Sequence, residues 1–159
     1  MEEKVIFDGD FKIWSIFNQA SEAAIKTIDN ELFRNLEISY IQLGVMYVVK
    51  NSSNRLSPTE ISRVLLREPH TMAALINRME KQGLIKKTKD HRMKNIKRIS
   101  LTRKGEEFYT KAMAVGTPSQ LLSCLSPEEK ESLRVCSEKI RNEALRHLTI
   151  RRLWEPLFG

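Results

Sequence analysis

From Ser57 to Gly83 the chain is punctuated so closely that only two short helices fit, and this spacing constrains the fold more than any other feature. The phrase "SPTE", residues 57–60, sets Ser57 at a helix cap, Pro58 at the first helical position and Glu60 three residues after the cap. The helix it starts, with Ile61, Val64 and Leu65 inward, can run only to about Arg67, because Pro69 disfavours helical geometry at Glu68. Pro69 suits the first turn of the next helix, "PHTMAALINRMEKQ", which turns Met72, Leu75, Ile76 and Met79 to one face and ends at Gly83. His70, Thr71, Ala74, Asn77, Arg78 and Lys81 are left toward solvent. Two short helices joined by a tight turn make a helix-turn-helix, whose second helix enters the DNA major groove.

After Gly83, "LIKKTK" and "KRISLT" alternate in part between apolar and polar residues and read as a β-hairpin with "DHRMKNI" at its tip. A hairpin in that place is a wing, whose basic tip can reach the sugar-phosphate backbone or the minor groove. The charge distribution agrees. The formal net charge is +7 and the pI near 9.5, but residues 57–105 alone hold thirteen Lys or Arg against four acids. Residues 1–56 hold six against eight, and residues 106–159 hold eight against eight. A charge serving solubility would be dispersed, so this concentration marks a polyanion-binding surface. Between Lys86 and Gly105 nine cations face one acid, Asp90, a repulsion that phosphate would neutralise in a complex.

The flanking segments read as helices. Between Asp10 and Phe33, Trp14, Phe17, Ala24, Ile28 and Leu32 recur at helical spacing, and Ile13, Ile16 and Ile25 widen the stripe beyond what one small lobe covers. Ser39 can cap a densely apolar second helix, "YIQLGVMYVVKNS". Thr102 caps another, which Gly116, Thr117 and Pro118 should interrupt. "SPEE" starts the last at Ser126, with Leu133, Cys136, Ile140 and Leu148 on one stripe, and Leu153, Trp154, Leu157 and Phe158 make the tail strongly apolar. The fold class is therefore mainly α with a small β-hairpin wing. Its expected divisions are an N-terminal helical segment at 1–36, a winged lobe at 37–105 (recognition helix about 69–82, wing about 84–102), and C-terminal helices with the tail at 106–159.

The chemistry classes narrow in turn. No G-x-x-x-x-G-K-S/T or G-x-G-x-x-G phosphate loop is present, His70, His91 and His147 are scattered without metal-ligand spacing, and no Ser or Cys sits in a nucleophile motif, so neither an enzyme nor a metal or cofactor is expected. Cys124 and Cys136 lack CxxC spacing and read as reduced core cysteines, with a redox sensor as the alternative. The acidic start "MEEKVIFDGD" lacks a signal peptide's basic and apolar regions, and no apolar run reaches the roughly 18 residues of a membrane span. A cytoplasmic protein is the expectation.

The phrases "LSPTEISRVLL", "TMAALINRMEKQGLI", "KDHR" and "ISLTRKG", in this order, resemble the MarR family of bacterial and archaeal transcription regulators, over about Phe11 to Leu148. The L-x-x-x-G-L-I type close at Met79 to Ile85, the D-x-R at Asp90 and Arg92, and the L-T-x-x-G at Leu101 to Gly105 carry the resemblance most specifically. It implies a homodimer joined through its first and last helices, each winged lobe reading half of a pseudo-palindromic operator. A repressor relieved by a small-molecule effector, seated in a cleft where Trp14, Phe17, Tyr40 and Tyr47 could contribute, is the form the resemblance points to. Alternatives are a winged-helix protein-interaction adaptor and a non-specific nucleic-acid packaging protein.

For double-stranded DNA as partner, the residues divide by chemistry. Asn77 can donate and accept together, as adenine requires, and Thr71 or an alanine can meet a thymine methyl. Ala74 stands where the family often has a basic or polar reader, so base reading is expected of His70, Thr71, Ala73, Ala74 and Asn77 together. Arg78 and Lys81 lie further along the helix, toward phosphate, and Ser57 and Thr59 could hold a phosphate through the amides at their helix start. The resemblance gives the wing-tip role to Arg92, shared with Lys94 or Lys97 because the wing is longer than usual, with the Asp90 carboxylate orienting the Arg92 guanidinium.

Overall fold

Serine and threonine caps start four helices where the sequence places them. A computed structural model describes residues 9–52, 55–93, 95–115 and 118–148; Lys94, Gly116, Thr117 and the apolar tail with Leu153, Trp154, Leu157 and Phe158 lie outside these. The order is α1 (Gly9–Leu36), α2 (Tyr40–Asn51), α3 (Pro58–Val64), α4 (Pro69–Lys81), β1 (Ile85–Lys89), β2 (Lys97–Leu101), α5 (Arg103–Ala114), α6 (Pro118–Leu121), a 3-10 turn (Leu122–Cys124) and α7 (Pro127–His147). Ser39, Ser57 and Ser126 each form a reciprocal capping box, with Gln42, Glu60 and Glu129 returning the hydrogen bond, and the Thr102 hydroxyl accepts from the Gly105 N–H.

α3 closes at Val64, short of the limit at Arg67 that Pro69 sets. Leu66 adopts φ +51°, and the Arg67 N–H turns back to the Ser62 carbonyl at 2.8 Å. The left-handed conformation costs a non-glycine residue about 1–2 kcal/mol. The turn thus forms before Pro69 acts on Glu68, and α4 leaves α3 directly.

α2 runs through the core, where Val45, Met46 and Val48 pack with Ile61, Val64, Met72, Ile76 and Met79 of the two short helices, and with Leu84, Ile85 and Ile99 of the hairpin. Each such side chain contributes about 1.5–3 kcal/mol by leaving water. The strands pair antiparallel, Ile85 opposite Leu101, Lys87 opposite Ile99 and Lys89 opposite Lys97. The Ile99 N–H also donates to the Leu56 carbonyl at 2.8 Å, stitching the hairpin to the segment before α3.

The L-T-x-x-G phrase is a clamp on the end of α4. Thr102 donates its hydroxyl to the Gly83 carbonyl at 2.5 Å and its N–H to the Leu84 carbonyl at 3.1 Å. Gly105 packs so close that a Cβ there would stand 1.9 Å from the Leu84 oxygen. Gly83, at φ +73°, supplies the left-handed turn that ends α4.

The outer helices bury little within the chain. Ile28 and Leu32 anchor the C-terminal half of α1, while Phe11, Ile13, Trp14 and Ile16 stay more than half exposed. α7 has no buried residue, leaving Leu133, Ile140 and Leu148 in the open. Cys124, in the 3-10 turn, and Cys136, on α7, are both exposed. The reading of them as core cysteines is corrected, because helical patterning identifies a stripe and not what covers it. Among the described residues no helix is long and apolar enough to cross a membrane.

Candidate nucleic-acid interface

α4 turns the face opposite its core stripe outward. His70, Ala74, Asn77 and Lys81 follow steps of four, three and four, so they form one line along the helix, and all are exposed. Thr71 and Arg78, also exposed, lie on one flank of this line, where Ile41 and Arg67 join them around a cavity of about 430 Å³. Ala73 lies on the other flank, half-buried, so its methyl group is less available to a groove than that of Ala74. The Thr71 hydroxyl lies 3.4 Å from His70 Nε2, within hydrogen-bond reach.

On the Ala73 flank the fold adds a residue that sequence reasoning missed. Lys87 reaches from β1 across to α4, donating to Asn77 Oδ1 and to Glu80 Oε2 at 2.7 Å, with its own side chain only 13% exposed. The Glu80 carboxyl is held below its ordinary range, chiefly by this hydrogen bond and against its own desolvation. The amide of Asn77 is therefore not free on both sides, as the adenine reading assumes. The signal was a lysine inside a basic run, and nothing in the run distinguishes it from Lys86 or Lys89.

The wing is braced by a carboxylate, though not through the expected side chain. Asp90 Oδ1 accepts the backbone N–H groups of Arg92 at 2.7 Å and Met93 at 2.9 Å, while Oδ2 accepts Arg98 Nε at 2.6 Å. The orienting role for Asp90 is thus corrected in its object: it meets Arg92 through the main chain and holds the guanidinium of Arg98. Arg98 goes on to Glu60 at 2.8 Å and to the Arg55 carbonyl at 3.1 Å, so one side chain ties wing, α3 and the segment before α3. These contacts push the Asp90 carboxyl down to about 2, the Arg98 guanidinium first and the two N–H groups next. Burial raises the Glu60 carboxyl, but hydrogen bonds from Ser57 and the charge of Arg98 outweigh it and hold it low.

Glu60 also bears on the phosphate expectation at Ser57. Its carboxylate accepts the Ser57 N–H at 2.7 Å, and the Ser57 hydroxyl accepts the Glu60 N–H at 3.3 Å. Both amides are used within the capping box, beside a negative charge, which gives Ser57 a structural role; Thr59 stays exposed next to it. Arg92 and Lys97 stand exposed at the hairpin's far end, and Lys94 lies outside the described residues.

Behind the recognition face a second cavity, of about 410 Å³, opens between α1, α2 and the α3–α4 turn. Tyr40, Tyr47, Leu65 and Val48 line it, with Arg67 as its one charged lining residue among those described. Trp14 and Phe17 do not reach it; their rings meet each other 5.9 Å apart on the exposed part of α1.

The family model described as MarR family matches residues 36–92, which run from the end of α1 to the wing tip. The winged lobe of the chain is similar to the MarR family. The chain is 28% identical over 135 residues to the HTH-type transcriptional regulator YybA of Bacillus subtilis (strain 168), covering 83% of this chain and 85% of that one. Among solved structures it resembles the organohalide-sensing regulator RdhR bound to 2,4-dichlorophenol, with TM-score 0.76 and 26% identity over 91% of this chain and 86% of the other. It shares its fold with a cysteine-to-serine mutant of MarR from E. coli complexed with operator DNA, at TM-score 0.74 and 15% identity over 85% and 97% of the two chains. The mainly helical fold with a two-stranded wing is thus that of solved MarR-family regulators.

Proposed function

We propose that the chain binds double-stranded DNA as a homodimer and represses transcription from a pseudo-palindromic operator, α4 lying in the major groove and the wing on the backbone. The observation that carries this reading is the exposed line His70, Ala74, Asn77 and Lys81 on α4, set beside a basic hairpin that Asp90 and Arg98 hold against α3. His70, Thr71, Ala74 and Asn77 face bases; Arg78, Lys81, Arg92 and Lys97 meet phosphate. The uncovered apolar faces of α1 and α7 supply the dimer contact, with the flanking segments 1–36 and 106–159 as its arms. No catalysis is part of this reading.

The 410 Å³ cavity is of a size for a small effector and its wall is largely apolar. An apolar ring with one anionic or phenolic group would suit it, the group meeting Arg67 or a tyrosine hydroxyl. Arg67 also borders the cavity beside Thr71 and Arg78, so a ligand that draws it inward changes the flank of the recognition helix. The solved complex of RdhR with 2,4-dichlorophenol and that of MarR with operator DNA support the two halves of this reading.

The test is an anisotropy titration at physiological salt, comparing DNA from upstream of the protein's own gene with a scrambled duplex of equal length. Preference of about a thousandfold is expected, at the low end of specific recognition. Equal and strongly salt-dependent binding to sets of upstream and scrambled duplexes would point instead to packaging, and no binding to an adaptor.

A further inference from the structure

We infer that Lys87 sets which base Asn77 reads, making a guanine reader of an amide that would otherwise favour adenine. The inference rests on the proposed function and names the specificity of that same helix. Asn77 lies on the exposed line of α4, but its Oδ1 accepts from the Lys87 ammonium. The Lys87 side chain is 13% exposed, its ammonium also held by Glu80 at 2.7 Å, and it is carried on a paired strand opposite Ile99. Swinging aside would break both contacts at once, the bond to Asn77 and the charge-assisted bond to Glu80.

Adenine recognition by asparagine is two-handed: Nδ2 donates to N7 while Oδ1 accepts from the N6 amino group. Here one lone pair of Oδ1 is occupied, and an N6 donor approaching the other arrives beside a positive charge. Guanine offers the opposite pattern, acceptors at both N7 and O6. Nδ2 of Asn77, which no acceptor engages among the described residues, donates to one of them, and the field of the adjoining ammonium favours the other. The pair Asn77 and Lys87 thus meets the groove chiefly as a donor.

The experiment is selection from a randomised duplex library by the full-length protein and three variants. Asn77→Ala identifies the position in the half-site that depends on Asn77. The wild type is expected to prefer G over A there by about tenfold or more, and Lys87→Met, which frees Oδ1, to move the preference to A. Asn77→Asp, a change at an exposed site, should move it to C, because both oxygens accept and one remains on Lys87; this arm decides the matter even where Lys87→Met fails to fold. A at that position in the wild type, G retained in either variant, or no position sensitive to Asn77→Ala would overturn the inference while leaving sequence-specific binding intact. Enrichment of no sequence at all by the wild type would overturn the proposed function and this inference with it.

Discussion

Asp90 gathers three donors at the point where the wing leaves β1, two from the main chain of its own turn and one from Arg98. Its carboxyl is pushed from 3.8 to about 2, first by Arg98. A carboxylate whose folded value lies below its unfolded one stabilises the fold at every pH above the unfolded value, and loses that contribution as pH falls through the folded value. The wing tip is therefore expected to keep its order down to about pH 4 and to loosen between about pH 4 and 2, in step with the shift to about 2. Amide chemical shifts of Arg92 and Met93 followed by NMR through that range would report it. Asp90→Asn should loosen the same amides already at neutral pH and weaken binding to all DNA alike; unchanged shifts would mean that the hairpin, not the carboxylate, holds the tip.

The joint between wing and recognition helix is a matter of elements, and Gly105 is its tightest point. A Cβ there would overlap the Leu84 carbonyl, which is backbone and cannot rotate away. Gly105→Ala should lower stability in urea denaturation by about 3 kcal/mol, at the upper end of what overpacking costs. Gly83→Ala, strained only by its φ of +73°, should cost about 1 kcal/mol; equal losses would argue that backbone strain rather than overlap governs the clamp. This contrast also marks what the sequence made legible. Caps at Ser39, Ser57, Thr102 and Ser126 could be read because side chain and amide lie within three residues of each other, and the core faces of α3 and α4 followed from periodicity. The end of α3 could not, because Leu66 is neither glycine nor asparagine and its left-handed turn is imposed by packing. Nor could the partners of Arg98, eight and thirty-eight residues away, or the bond from Lys87 to Asn77, which exists only once the hairpin lies against α4. In each case the sequence shows a charged residue and the fold alone chooses its partner.

At the scale of the molecule, the proposed dimer and the proposed DNA contact are one hypothesis about affinity. Four or five phosphates neutralised by each protomer would give a dimer a slope of log affinity against log salt of about −8. The free protomer leaves Trp14 54% and Ile13 66% exposed on adjacent positions of α1, with Phe11 and Ile16 beside them, an apolar surface that a monomer in water has no use for. Replacing Ile13 and Ile16 together by Asp puts two charges into that face without touching α4 or the wing. The expected result is a monomer by sedimentation with the lobe still folded, since Ile28 and Leu32 of the same helix keep their places in the core. Its salt slope should fall to about −4, half the phosphates per complex, and its affinity for the full operator by 10²-fold or more, the loss expected when two linked contacts become one. A double-Asp variant that stays dimeric would move the interface to α7. A monomer that keeps the full slope and affinity would show that one lobe suffices, and the pseudo-palindromic operator would go with it.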